Sequence, residues 1–176
     1  MIDKYQNNYG FTWAVRTGGS GALTIPKTGQ TLSYATGDNG DIRSGAYWPN
    51  PRFVDNGNGT VTDNLTGLVW QQSPSSTYRT WADALTYCTD LTLGGYTDWR
   101  LPNLNELESV VNRGQSNLAT WLNSPGQKFF IVLTIVWSSN TSPGNTAWAW
   151  IVSMANGDFQ PQEKQAGQVW AVRSGQ

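Results

Sequence analysis

Ten residues near one end of the chain, Gly10-Phe-Thr-Trp-Ala-Val-Arg-Thr-Gly-Gly19, return at the other as Gly167-Gln-Val-Trp-Ala-Val-Arg-Ser-Gly-Gln176. The core Trp-Ala-Val-Arg is identical in the two copies and reads as a closing strand, so the fold must provide a sheet for such a strand to complete. The residues just before each copy, Lys4-Tyr-Gln-Asn-Asn-Tyr9 and Pro161-Gln-Glu-Lys-Gln-Ala166, share nothing. A fixed strand with freely changing neighbours is how a scaffold presents a variable surface, which binding modules do and catalytic sites rarely do. A duplicated hydrophobic strand behind a drifting loop gives the same pattern.

At 176 residues the chain suits one domain, and a globule of that size buries about 70% of its unfolded surface, enough for a full core. Aromatic residues make up 12% of it, with ten tryptophans, against only 13% charged. That balance points to an extracellular or virion-type β-rich domain with long ordered loops. A formal net charge of −1 and scattered Lys and Arg argue against nucleic acid as a partner. No stretch approaches the roughly 18 apolar residues of a membrane span, so membrane insertion is not expected. The single cysteine, Cys88, can form no internal disulfide, and its spacing from Trp81, Ala84, Leu85 and Leu91 puts it on an apolar helix face as a core filler.

Three regions follow along the chain. Residues 1–19 are the duplicate of the closing strand, either an edge strand or the remnant of a preceding repeat. Residues 20–52 are a lead-in rich in Gly, Ser, Thr and Pro, and 53–176 form the main domain. The main domain opens with Phe53-Val-Asp-Asn-Gly-Asn-Gly-Thr-Val-Thr-Asp-Asn-Leu-Thr-Gly-Leu-Val-Trp70, three short strands separated by turns whose glycines tolerate positive φ. Thr80 can cap a helix over 81–91 that Gly94-Gly95 stops. Asn103 with Glu106 forms a capping box for a second helix, whose buried stripe is Leu104, Leu107, Val110 and Val111. Arg100, at the entrance of that helix, is badly placed for the helix dipole and is expected to serve a buried carboxylate or carbonyl. Apolar runs over 129–137 and 147–154 and the closing strand over 168–173 then give a three-stranded antiparallel sheet, so the class is α+β.

The run over 55–70, Thr80-Trp-Ala-Asp-Ala84, Asp98-Trp-Arg-Leu-Pro-Asn-Leu-Asn-Glu-Leu107, Trp137-Ser-Ser139 and the Val169-Trp-Ala-Val-Arg173 ending resemble the C-terminal domain family of bacterial collagen-like adhesins, the Lcl C-terminal domain. Five separated motifs in order make the resemblance specific over 53–176. The family is similar to C-type lectin-like domains, which implies a lectin-like fold of short β-hairpins, two helices and a small antiparallel sheet. It also implies an extracellular or cell-surface location and a host or bacterial cell-surface glycan or protein as partner. Similar lectin-like folds are the variable proteins of diversity-generating retroelements, where a C-terminal segment is mutated to change the ligand. A sulfated-glycan binder needs clustered basic residues, and after residue 136 the chain offers only Lys164 and Arg173.

The inventory leaves little room for catalysis. Without histidine there is no Ser-His-Asp triad or imidazole zinc site, and one cysteine removes thiolate clusters. Glu106 and Glu108 point apart on a helix. No enzyme activity and no cofactor are expected. Asp55, Asn58 and Asp63 are weak calcium candidates, because oxygen ligands around a Gly turn are how calcium loops are built; a plain hairpin turn, with Asp63 bonding its own backbone, explains them more simply.

Trp70, Trp81, Trp99, Trp137 and Trp170 sit inside motifs where core rings belong. Trp148 and Trp150 alternate on one face of a strand, either buried against the sheet or outward as binding anchors. The candidate ligand-binding residues are Asn140, Asn145, Trp148, Trp150, Asp158, Gln160, Gln162, Glu163, Gln165 and Gln168, drawn from loops 138–146 and 156–168 and the strand between, whose amides adapt to many partners. The function read from this is a non-catalytic ligand-binding module. The alternative is a structural or assembly domain of a surface or virion protein.

Overall fold

A computed structural model describes residues 25–131 and 134–175; the first copy of the repeated strand, at 10–19, lies outside them. The α+β class holds, with two sheets and four short helices among the described residues. Strands β1 (Phe53–Asp55), β2 (Thr60–Asp63) and β3 (Leu68–Gln71) form an antiparallel meander. Gly57 (φ 73°) and Gly59 (φ 83°) take the left-handed conformation that turns β1 into β2. The second sheet contains β4 (Ser75–Arg79), β5 (Ile135–Ser142), β6 (Asn145–Ser153), β7 (Phe159–Glu163) and β8 (Gly167–Val169), in the order β4-β8-β5-β6-β7. The three-stranded antiparallel sheet expected from sequence is therefore five-stranded, and β5 and β8 run parallel, with Val136 opposite Gln168.

The closing segment serves both sheets. After β8 the chain passes through Trp170 and Ala171 into β9 (Val172–Ser174), which pairs antiparallel with β3 at the edge of the first sheet. The Trp-Ala-Val-Arg segment thus joins the hairpins of 53–70 through its second half. All seven residues from 167 to 173 are buried. Gly167 is required by close approach: a Cβ there would meet the Trp137 ring at 2.5 Å.

Helix α1 (Asn39–Ile42) lies in the lead-in, α2 is Trp81–Asp90, α3 is Leu104–Ser109 and α4 is Leu118–Leu122. Thr80 caps α2 by accepting the Asp83 N–H, and Asn103 and Glu106 form the expected capping box at α3. One core packs α3 and α4 against Phe53, Val61, Trp70 and Trp170. The other packs α2, through Ala84 and Cys88, against Trp99, Trp137, Ala149 and Ile151. Trp70, Trp99, Trp137 and Trp170 are core rings as read from sequence, and Trp81 is half-buried. Burial pushes the Cys88 thiol up to about 12, so it is an inert filler.

The lead-in is an ordered strap over 25–52. The Ala46 N–H donates to the Ile25 carbonyl and the Lys27 N–H to that of Ala46. The Trp48 indole donates to the Lys27 carbonyl and its ring lies 5.9 Å from that of Trp121. The strap ends on a buried ion pair in which Arg52 donates through Nε and Nη2 to both oxygens of Asp63, at 3.1 Å each.

Two expected loops are strands. The segment 138–146 is the tip of the β5–β6 hairpin, closed by Pro143-Gly144, and 156–168 contains all of β7. Conversely, the apolar run at 129 does not begin a strand: Phe129 and Ile131 plug the first core, Phe130 is exposed, and strand structure starts only at Ile135.

Candidate functional site

The site is built on β6 and β7. Opposite residues of an antiparallel pair share a face, so Trp148 faces with Glu163, Trp150 with Pro161 and Val152 with Phe159. The other face of β6 is spent, since Ala149 and Ile151 are buried beneath α2. Burial on the first face fades toward the hairpin tip: Val152 is 1% exposed, Trp150 half-buried and Trp148 38% exposed. Two indoles therefore lie along an open strip with a proline ring and a carboxylate, where large apolar surface remains in contact with water.

Turn chemistry holds the tip. Asn145 Oδ1 accepts the Ala147 N–H, the bond that stabilises such a bend. Lys164 donates from its backbone to the Ala147 carbonyl and from Nζ to the Thr146 carbonyl, and its ammonium rests 4.2 Å from the centre of the Trp81 ring. Trp81 in turn donates its indole N–H to the Ser138 carbonyl. The β7 end is thereby clamped to the hairpin and to α2.

The outer edge of β7 is blunted. The Lys164 N–H to Ala147 and Ser153 N–H to Asp158 bonds mark those pairs as the hydrogen-bonded ones, so by alternation Phe159, Pro161 and Glu163 direct their backbone away from β6. Pro161 sits in the middle of that free edge without an N–H to offer. A partner cannot extend the sheet there easily, which leaves recognition to side chains.

The residues named from sequence do not form one surface. Asn145, Trp148, Glu163 and Gln165 gather at the tip, with Trp150 behind them. Gln160 and Gln162 pair with Ile151 and Ala149 and so point to the opposite face, where the Gln162 amide donates to the Ala166 carbonyl. Asp158 lies in the turn at the other end of β7, about 17 Å along the strand from Glu163, and accepts from the Asn156 amide. Asn140 accepts the Leu104 N–H, adding to the α3 cap. Gln168 must be removed from the presented surface: it is 3% exposed, its Oε1 accepts from the Thr134 N–H and its Nε2 donates to the Ser76 carbonyl. A polar stretch in sequence hid a polar core residue.

The calcium candidates separate as well. Asp63 is fully buried and its carboxylate is taken by Arg52, the Leu65 N–H and the Thr66 hydroxyl. Asp55 accepts the Gly57 N–H, the chief reason its carboxyl titrates below the ordinary carboxylate range. Asn58 accepts the Thr60 hydroxyl and donates to the Gly94 carbonyl. These oxygens hold turns together and do not converge. Sequence reading missed Pro161, Lys164 and Trp81 as parts of the site; their only signal was strand register, which composition does not carry.

Fold and site together define a two-sheet α+β domain with an aromatic strip at one hairpin. The model of the Lcl C-terminal domain matches residues 59–173, and the chain belongs to that family. The family is of the surface-associated, adhesin type, and among the described residues no helix is long and apolar enough to cross a membrane. No curated protein matches the chain.

Proposed function

We propose that this domain is a non-catalytic ligand-binding module with a C-type lectin-like scaffold, which recognises a cell-surface glycan or protein through the Trp148 face. The observation that carries the reading is the pair of indoles left open beside Pro161 and Glu163 on β6, whose opposite face is buried. Aromatic side chains are the usual anchors of recognition, since they bury much area at little entropic cost. The two copies of the closing strand keep their core and change the residues before it. This supports a site that diversifies on a constant frame, as in retroelement variable proteins.

The test is binding of wild type and Trp148→Ala to glycan arrays and to cell-surface protein pools, in moderate salt to suppress charge-driven background. Binding should fall with Trp148→Ala while the melting temperature stays near that of wild type. Retained binding removes Trp148 from the site. Binding should also persist in EDTA, because Asp63 is already paired with Arg52.

A second reading, an assembly domain, is favoured by one observation. Ile25, Leu32, Tyr34, Ile42 and Tyr47 are each more than 60% exposed among the described residues of the lead-in, the kind of apolar surface that a neighbouring chain covers. Sedimentation velocity separates the readings: a monomer with Trp148 accessible to iodide quenching fits ligand binding, and an oligomer that shields it fits assembly.

A further inference from the structure

Two arginines inside the domain are held in the same way. The Arg52 guanidinium lies 4.4 Å from the centre of the Trp48 ring and 4.6 Å from that of Phe53, and it donates to both oxygens of Asp63. The Arg173 guanidinium lies 3.8 Å from the centre of the Tyr96 ring and donates from Nε to Asp98 Oδ1 at 2.7 Å and from Nη2 to Oδ2 at 3.1 Å. An aromatic face beside a carboxylate suits this side chain, because the guanidinium stacks flat on the ring while its N–H groups donate in their own plane.

The Trp148 strip presents the same two parts without the third. Trp148 and Glu163 are directly opposed, in a pair that exchanges no backbone hydrogen bond, so their Cβ atoms stand about 4.5–5.5 Å apart. Glu163 is exposed, joins no ion pair among the described residues, and accepts a long bond of 3.4 Å from the Gln165 amide. No Lys or Arg of the described residues lies over either indole of the strip. The nearest cation in sequence, Lys164, is spent on the Trp81 ring and the Thr146 carbonyl.

Charge and hydrogen bonding then select the ligand. Indole faces and a carboxylate are both negative, so an anion is repelled and a cation is attracted by each. A neutral sugar needs donors and acceptors together, but the Gln160 and Gln162 amides point to the opposite face and Asn145 Oδ1 is taken by the Ala147 N–H. A choline headgroup brings a phosphate with its ammonium, and Glu163 repels the phosphate. We propose that the strip binds an arginine side chain of a partner protein, with the guanidinium on Trp148 and its N–H groups on Glu163. The proposal rests on the Trp148 reading and names the chemistry of the partner.

The probes are an acetylated, amidated Gly-Arg-Gly peptide, the same peptide with citrulline for arginine, which keeps the shape and loses the charge, methyl glucoside, and phosphatidylcholine vesicles. Binding is followed at low salt by the indole N–H signals of nitrogen-labelled protein. The arginine peptide should shift the Trp148 and Trp150 signals with a Kd on the order of millimolar, and the citrulline peptide should bind about fivefold more weakly or worse. Glu163→Gln should weaken the arginine peptide about fivefold, to the level of citrulline, while Asp90→Asn, which removes another exposed carboxylate at the end of α2, should leave it unchanged. Melting curves show that each variant is folded, and should Glu163→Gln unfold, the two peptides compared on wild type decide. The proposal is overturned if the arginine peptide leaves the strip unshifted, if the two peptides bind alike, if folded Glu163→Gln binds like wild type, or if methyl glucoside or the vesicles bind at the strip in place of the peptide. Cell-surface binding that Trp148→Ala abolishes, with no preference for arginine over citrulline, sinks this proposal alone; cell-surface binding that survives Trp148→Ala sinks the reading beneath it.

Discussion

Gln168 and Trp148 exchange the roles that their chemistry suggests. The amide is buried and bonded on both ends, while the indole faces water. Gln168→Ala should therefore cost about 1–3 kcal/mol in a urea melt, since it strands the Thr134 N–H and the Ser76 carbonyl. A loss below the precision of the melt would return Gln168 to the surface. Arg100 was expected to serve a buried carboxylate or carbonyl, and its partner is the half-buried carboxylate of Glu106, which accepts from Nη1 and Nη2 at 2.7 and 2.6 Å and also holds the Asn103 N–H. Arg100 itself is 42% exposed at the side chain, which solvent discounts. Arg100→Ala should then cost about 1–2 kcal/mol, below the value for a fully buried pair. Burial raises the Glu106 pKa, but the bonds from Arg100 and Asn103 outweigh it and hold the carboxyl below its ordinary value of 4.5. A depressed folded pKa gives stability that is present above the unfolded value and lost as pH falls through the folded one. The gap between wild type and Arg100→Ala should be full near neutrality and narrow in acid below about pH 4. A gap independent of pH would show that Arg100 acts through packing alone.

Strand β7 shows what an element owes to its neighbour. Its sequence, Phe-Gln-Pro-Gln-Glu, has little strand propensity and a proline, and reads as a loop. It is a strand because β6 offers an unpaired edge and the Asn156-Gly157 turn sets the register. Pro161 then closes the new edge. Pro161→Thr restores the missing N–H and should promote edge pairing, seen as concentration-dependent light scattering with little change in the melting temperature. A variant that stays monomeric at high concentration would show that the edge is guarded otherwise. Elements that carry their own signals were legible. Helix α2 spans Trp81–Asp90 behind Thr80, and α3 follows its capping box. The four- and five-residue helices α1 and α4 were not, because one turn is too short for a period to show.

At the scale of the molecule, residues 167–174 are the seam between the two sheets, paired with β3, β4 and β5. Each of those partners is used by this copy of the closing strand, so the copy at 10–19 is expected to be a repeat remnant and not an edge strand that the domain needs. Deleting 1–19 should leave the melting temperature within about 2 °C of the full chain; a domain of this size shifts about 2–4 °C for each kcal/mol lost, so a larger fall would make the first copy structural. The sequence by itself determined the α+β class, the family, the hairpin run from 53 to 70, both capped helices and most core tryptophans, because turn glycines, caps and apolar periods act over a few residues and are written where they act. Only the tertiary structure decided that the last strand would divide between two sheets, that Gln168 would be buried, and that Trp148 and Trp150 would share a face with Pro161 and Glu163 but not with Gln160 and Gln162. Those outcomes depend on register between strands, where a slip of one residue turns every side chain to the other face, and register is fixed by partners that lie up to a hundred residues away.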